Sequence, residues 1–259
     1  MEPDATGSDG LTPRTARAIS IAGFFALWWL TSVALGPRLC PDPLSVIVFL
    51  GKETVSGELP YHMAITLARV AAAFVIAMAI GTAIGLFMGR SRSANLLLEP
   101  WIILLLNAPA LVIIVLAYIW IGLVDSAAII AVALNKIPNV AVTIREGARA
   151  MNQDYFKMAR VFRFSRTRTL SHVTFPQLQP YIAAAARSGL ALIWKIVLVV
   201  ELLGRPNGVG FQIHLYFQTF DVRAILAYTI AFAAIMLAIE YLIVQPIEKR
   251  AYRWRPRPA

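Results

Sequence analysis

Charged residues are missing from three long stretches of this chain, and that constrains its fold more than any motif. None occurs in 18–37, 70–89 or 100–124, runs of 20, 20 and 25 residues. About 20 apolar residues in a helix cross the hydrocarbon of a bilayer. Three more stretches read as spans with polar interruptions. Residues 126–144 carry Asn135, Lys136 and Asn139; 182–203 carry Arg187, Lys195 and Glu201; 224–244 carry Glu240. Only helices and closed barrels satisfy their backbone groups in lipid. Continuous apolar runs, without strand alternation, predict helices. The expectation is an all-α integral membrane protein of about six transmembrane helices. It divides into an N-terminal segment 1–17, one membrane domain 18–247 with a long loop at 145–180, and a basic tail 248–259.

Composition supports this reading. Of 259 residues, 59% are hydrophobic and 15% charged, against about 45–50% and about 25% in soluble domains. One cysteine, Cys40, excludes a disulfide scaffold. The net charge of +10 is explained by topology rather than by nucleic acid. With six spans and both termini inside, the inner segments hold 16 Lys and Arg and the outer loops four. That is the bias of the positive-inside rule, with anionic lipid as a contact. The first apolar run is too long for a signal-peptide core and lacks an A-x-A site, so it reads as a retained span.

Within the spans, Gly81, Gly85 and Gly89 repeat at four-residue spacing. Small residues so placed let helices approach closely, here within one subunit. Asn107 and Pro109 in the third span, and Pro138 in the fourth, predict bent helices. Lys136, Lys195 and Glu201 are costly in lipid and point to an interior, a wet cavity or ion pairing. Lys195 and Glu201 are not helix neighbours, so either lysine could pair instead with an acid on another helix. Arg187 lies near enough to the inner end to snorkel.

The loop 145–180 holds a further helix. Asn152, Gln153 and Asp154 can start it, with Asp154 at or near the cap. At the helical period Tyr155, Met158, Ala159 and Phe162 share one face, and Lys157, Arg160 and Arg163 another. Phe156, Val161 and Phe164 are apolar but off the stripe. Such a helix either docks a partner or lies on anionic lipid. Phosphate-loop, H-E-x-x-H, C-x-x-C and G-x-S-x-G patterns are missing, and the three histidines are scattered. The sequence therefore offers neither catalytic residues nor a metal site.

Taken in order, these residues resemble the permease subunits of bacterial ABC importers, in the branch for nitrate, sulfonates and taurine. The likeness covers about 28–254. Its residues include Pro41, Asp42, Pro43, Gly57, Leu59, His62, Thr66, Leu67 and Arg69, then Asn107, Ala108 and Pro109. Glu201, Gly204, Gly208, Val209, Gly210, Arg253 and Trp254 complete the series. The family signature, E-A-A-x-x-x-G followed by a proline, forms a coupling helix that fits a groove on the ATPase. Here Ala159, Arg160 and Pro176 match. Lys157 replaces the acid, Met158 the first alanine and Arg163 the glycine; Ser165 closes the aligned stretch. The departure leaves two readings, a matched ATPase with an altered groove or a diverged permease.

The resemblance implies a type I importer fold with a cytoplasmic coupling helix in the bacterial inner membrane. It implies a second permease subunit in a homodimer, an ABC ATPase dimer that binds ATP and Mg, and an extracytoplasmic solute-binding protein. The chain itself then binds no cofactor. Asn107, Pro109, Lys136, Lys195 and Glu201 are the translocation-path candidates. Substrates would be small anions, with an uncharged thiamine-precursor-like compound left open. Rival readings are an ion-coupled secondary transporter using Lys136, Lys195 and Glu201, a membrane enzyme, and a structural subunit.

Overall fold

The computed structural model describes residues 12–247. The sequence-predicted tail 248–259 and residues 1–11 of the N-terminal segment lie outside them. Every described element is helical: α1 Pro13–Leu35, α2 Pro43–Ser56, α3 Glu58–Arg90, α4 Arg92–Asn107, α5 Ala110–Ile121 and α6 Asp125–Arg149. Then come α7 Gln153–Val161, α8 Arg166–Thr169, α9 Phe175–Gly204, α10 Val209–Gln218 and α11 Val222–Ile239. A π-helical turn, Leu170–Thr174, joins α8 to α9, and another, Glu240–Val244, extends α11. Five helical stretches are long and apolar enough to cross a bilayer, and the α4–α5 pair makes a sixth. Five of the six expected spans are thus single long helical stretches, and the third corresponds to this bent pair taken together.

The third span has the bend that Asn107 and Pro109 predicted, as a full break. It is not one 25-residue helix but two, meeting at 99°. Ala108 and Pro109 both take extended backbone, with φ −70°, ψ 127° and φ −61°, ψ 128°. Proline pushes the residue before it out of the helical region and supplies no N–H. At about 1.5 Å per residue, the 12 residues of α5 reach about 18 Å, too short to span alone. Pro138 acts differently: α6 runs through it unbroken from Asp125 to Arg149.

Two short helices were missed because each lies between charge-free runs. Helix α2 occupies the supposed outer loop, packing on α11 and α3. Asp42 caps it, its carboxylate accepting the Ser45 N–H at 2.9 Å. That bond holds the Asp42 carboxyl below the ordinary carboxylate range. Helix α10 follows the glycine loop and packs on α9 and α11.

The core is the α3–α6 pair flanked by α9 and α5. Its closeness comes from the expected glycines, all used within the subunit. A Cβ on Gly81 would stand 2.6 Å from the Cβ of Val140, and one on Gly89 2.5 Å from that of Ala148. At Gly85 a Cβ would run into the carbonyl of Ala141 and lie 2.8 Å from the Cβ of Ile144. Backbone so near cannot yield cheaply. On the other side of α6, Gly147 receives the ring of Tyr181 from α9. Around this core Val70, Ala73, Ala77, Val132, Ile193 and Val197 are buried together. Helix α1 stands apart, with nearly all its apolar side chains exposed.

Gly85→Val should therefore destabilise the detergent-solubilised chain by about 3 kcal/mol, the upper range for overpacking. Gly51→Ala, where a Cβ meets nothing within 4 Å, should leave the unfolding midpoint nearly unchanged. Equal effects in thermal unfolding would remove the close α3–α6 contact from the account.

Candidate transport path and coupling site

At the outer end of the core, one buried ion pair organises several elements. Arg69 of α3 is 4% exposed and Glu201 of α9 is 0% exposed. Arg69 Nη1 donates to Glu201 Oε1 at 2.7 Å, and its Nε to Asp125 Oδ1 at 2.8 Å. It also donates to the backbone and side-chain oxygens of Asn207. The other Glu201 oxygen accepts from Thr66 Oγ1 and from the Gly210 N–H, each at 2.9 Å. Thr66 Oγ1 in turn accepts the Val209 N–H at 2.8 Å. His62 Nδ1 accepts the Gly208 N–H at 2.9 Å, so its proton sits on Nε2, 3.4 Å from the Glu58 carboxylate. Gly208 has φ +109°, and a Cβ there would overlap the Glu201 carboxylate. The glycine loop is thus folded directly onto the ion pair.

This corrects the assignment of Glu201 to the translocation path. Its lone pairs are committed to α3, to Thr66 and to the backbone, with no surface exposed. Nor does it pair with either lysine. Glu240 is also taken, its Oε1 lying 3.3 Å from Arg187 Nε; Arg187 is bonded within the protein rather than merely snorkelling. Sequence reasoning noted Arg69 only within the series of family-like residues and gave it no partner. Its partner lies 132 residues away, a distance no local pattern encodes.

The other path candidates separate. Lys195 is exposed on α9, its ammonium 5.5 Å from the Trp194 ring. Asn107 and Pro109 are exposed at the α4–α5 break, where Asn107 Nδ2 donates to the Ile103 carbonyl at 2.8 Å. Lys136 is buried, 2% exposed.

The expected loop helix is α7. Its cap is Asn152, whose Oδ1 accepts the Asp154 N–H at 2.8 Å; Asp154 stands one turn in and pairs with Lys157 at 2.9 Å. The supposed face of Tyr155, Met158, Ala159 and Phe162 is split. Ala159 alone is buried, sharing a small cavity with Gly89, Ala148 and Phe156 at the inner ends of α3 and α6. Phe156, set aside as off the stripe, is half-buried under the Arg90 guanidinium at 5.4 Å. Tyr155, Met158, Val161 and Phe162 are exposed, as are Lys157, Arg160, Arg163 and Ser165. Tyr155 and Met158 line a groove of about 560 Å³ with His172, Pro176, Gln177 and Tyr181.

The end of α7 explains the signature glycine. The Phe164 N–H reaches the Ala159 carbonyl at 2.9 Å, and the Arg163 N–H that of Arg160 at 3.0 Å. This pair of bonds is a Schellman motif, which needs a left-handed residue just past the cap. That residue is Arg163, with φ 50°. Phe164 turns back beside Ala159, half-buried, and Arg168 stacks on it at 4.4 Å. The motif survives without its glycine, under strain.

Membrane helices around a buried ion pair, with a capped helix projecting from one end, agree with what comparison finds. The family described as binding-protein-dependent transport system inner membrane component matches residues 77–245. The chain belongs to this family. It is a permease subunit of an ABC importer. The aliphatic sulfonates transport permease SsuC of Escherichia coli (strain K12) is 30% identical over 236 residues, 90% of this chain and 89% of its own. The bicarbonate transport system permease CmpB of Synechococcus elongatus is 30% identical, covering 86% and 84%. The taurine transport system permease TauC of Escherichia coli is 26% identical, covering 91% and 88%. The fold is that of the methionine transporter MetNI, at TM-score 0.62 and 15% identity over 73% of this chain and 93% of that one. An amino acid ABC transporter solved with histidines gives 0.62 at 20%, over 78% and 98%.

A left-handed non-glycine residue costs about 1–2 kcal/mol. Arg163→Gly in this permease should therefore slow hydrogen exchange of the Phe164 amide about fivefold. Exchange that is unchanged or faster would show that the turn carries no such strain.

Proposed function

We propose that two copies of this permease line a path for a small oxyanion, driven by an ATPase pair that grips α7 and fed by a binding protein outside. Two observations support the anion. Relatives are named for sulfonates, taurine and bicarbonate, and Lys136 and Lys195 put positive charge within the spans. Fixed positive charge in a low-dielectric path favours anions and repels cations. The excess of inner Lys and Arg supports cytoplasmic termini and a cytoplasmic α7. ATP and Mg then belong to the partner ATPase. Asn107 and Pro109, at the exposed break, and Lys195 remain the proposed path residues of the outer surface.

The observation that carries the reading is the bare apolar face of α7. Ala159 and Phe156 hold the helix to the membrane body, while Tyr155, Met158 and Phe162 stay exposed, Phe162 at 67%. Those side chains fit an ATPase groove. The basic residues beside them, Arg160, Arg163, Arg166 and Arg168, call for acidic groups on its rim, since charge complementarity selects partners. An exposed position bears a charge without harming the fold, so Phe162→Asp is the test. Permease yield and unfolding midpoint should hold, while affinity for the ATPase falls by about 2 kcal/mol or more, as at an aromatic hot spot. Co-purification of the ATPase at the normal ratio would refute docking through this face.

A further inference from the structure

Helix α6 carries a line of polar side chains that neither packing nor ion pairing explains. Asn135, Asn139 and Thr143 follow at four-residue spacing and are all half-exposed. With Lys136 they fall within an arc of about 100° at the helical period. The Thr143 hydroxyl donates back to the Asn139 carbonyl at 2.9 Å. The Asn135 and Asn139 side-chain amides bond to no described residue. Pro138, between them, has no N–H to give the Leu134 carbonyl one turn earlier. Amides facing hydrocarbon would be left unsatisfied, which lipid does not tolerate. This face of α6 is therefore wet.

Lys136 borders the same face. It is nine-tenths buried and more, yet its ammonium makes no hydrogen bond or ion pair with any described residue. The acids of the spans are already used: Glu201 and Asp125 by Arg69, Glu240 by Arg187, and Glu99 by Arg145. Its stem crosses α9 at Gly189, where a Cβ would stand 3.2 Å from Cε. Space is thus kept for a cation whose counter-ion the chain does not supply.

Resting on the oxyanion reading above, we propose that Lys136, Asn135 and Asn139 form an anion-binding subsite in the path. Its ligand is a singly charged oxyanion, a sulfonate or bicarbonate. The ammonium supplies the charge, and the two amides supply N–H donors to separate oxygens. The single charge of Lys136 matches one negative charge.

The test uses the full complex of permease, ATPase and binding protein in proteoliposomes, with methanesulfonate and bicarbonate as probes. Lys136→Met should lower uptake of whichever anion the wild type carries about tenfold or more, the loss of one charge-assisted bond. The complex should still assemble, and Lys136→Arg should restore much of the uptake. Asn139→Leu, which leaves the charge in place, should lower uptake severalfold. Normal uptake by assembled Lys136→Met, or by Asn139→Leu, overturns the subsite. So does failure of both variants to assemble, which would make this face a subunit contact. A wild-type complex that carries neither anion overturns the substrate reading itself, and the subsite with it.

Discussion

A bilayer offers no water to a buried charge, and the Arg69–Glu201 pair is how this chain meets that constraint. Each ion answers the other at 2.7 Å, and the remaining lone pairs and N–H groups are met by Asp125, Thr66, Asn207 and Gly210. A buried pair gains little over apolar packing of the same shape, but losing one partner costs about 3–5 kcal/mol. What it gives here is register. Helix α3, the start of α6, the end of α9 and the loop into α10 all converge on two side chains. Helix α10 is thereby tied to α3 and α9 by hydrogen bonds as well as packed on α9 and α11.

The same two helices reach from that network to the coupling end. Gly81, Gly85 and Gly89 bring α3 against α6 so closely that a Cβ at any of the three would collide with α6. The outer end of the pair carries Arg69 and Asp125; its inner end, at Gly89 and Ala148, receives Ala159 of α7. The α3–α6 pair thus joins the α7 end to the outer network through one packed unit. By contrast α4 and α5 each pack on α6 but meet each other at 99° through Ala108 and Pro109.

Spans were legible because charge is expelled from lipid over a length fixed by bilayer thickness. Glycine packing was legible for the same reason that it works, since spacing on a helix is local. The start of α7 could be read from Asn152 to Asp154; the replacement of the signature glycine by Arg163 was visible, but the left-handed turn it occupies, at φ 50°, was not. What could not be read depends on distance. Glu201 looked like a path residue because its partner lies on another helix. The stripe on α7 looked like one buried face because amphipathicity does not say which of two neighbours covers it. Helices α2 and α10 escaped notice because they are too short to leave a charge gap. Pro109 marked the bend but not its angle.

If the ion pair sets register, its members must be coupled, and a double-mutant cycle in detergent measures this most directly. Unfolding midpoints would be compared for Arg69→Met, Glu201→Leu and the two combined. The account predicts that each single change destabilises strongly, by about 3–5 kcal/mol, and that the double variant loses clearly less than their sum. Additive losses would mean that the two residues act independently, and that the outer end is held by something other than their charge.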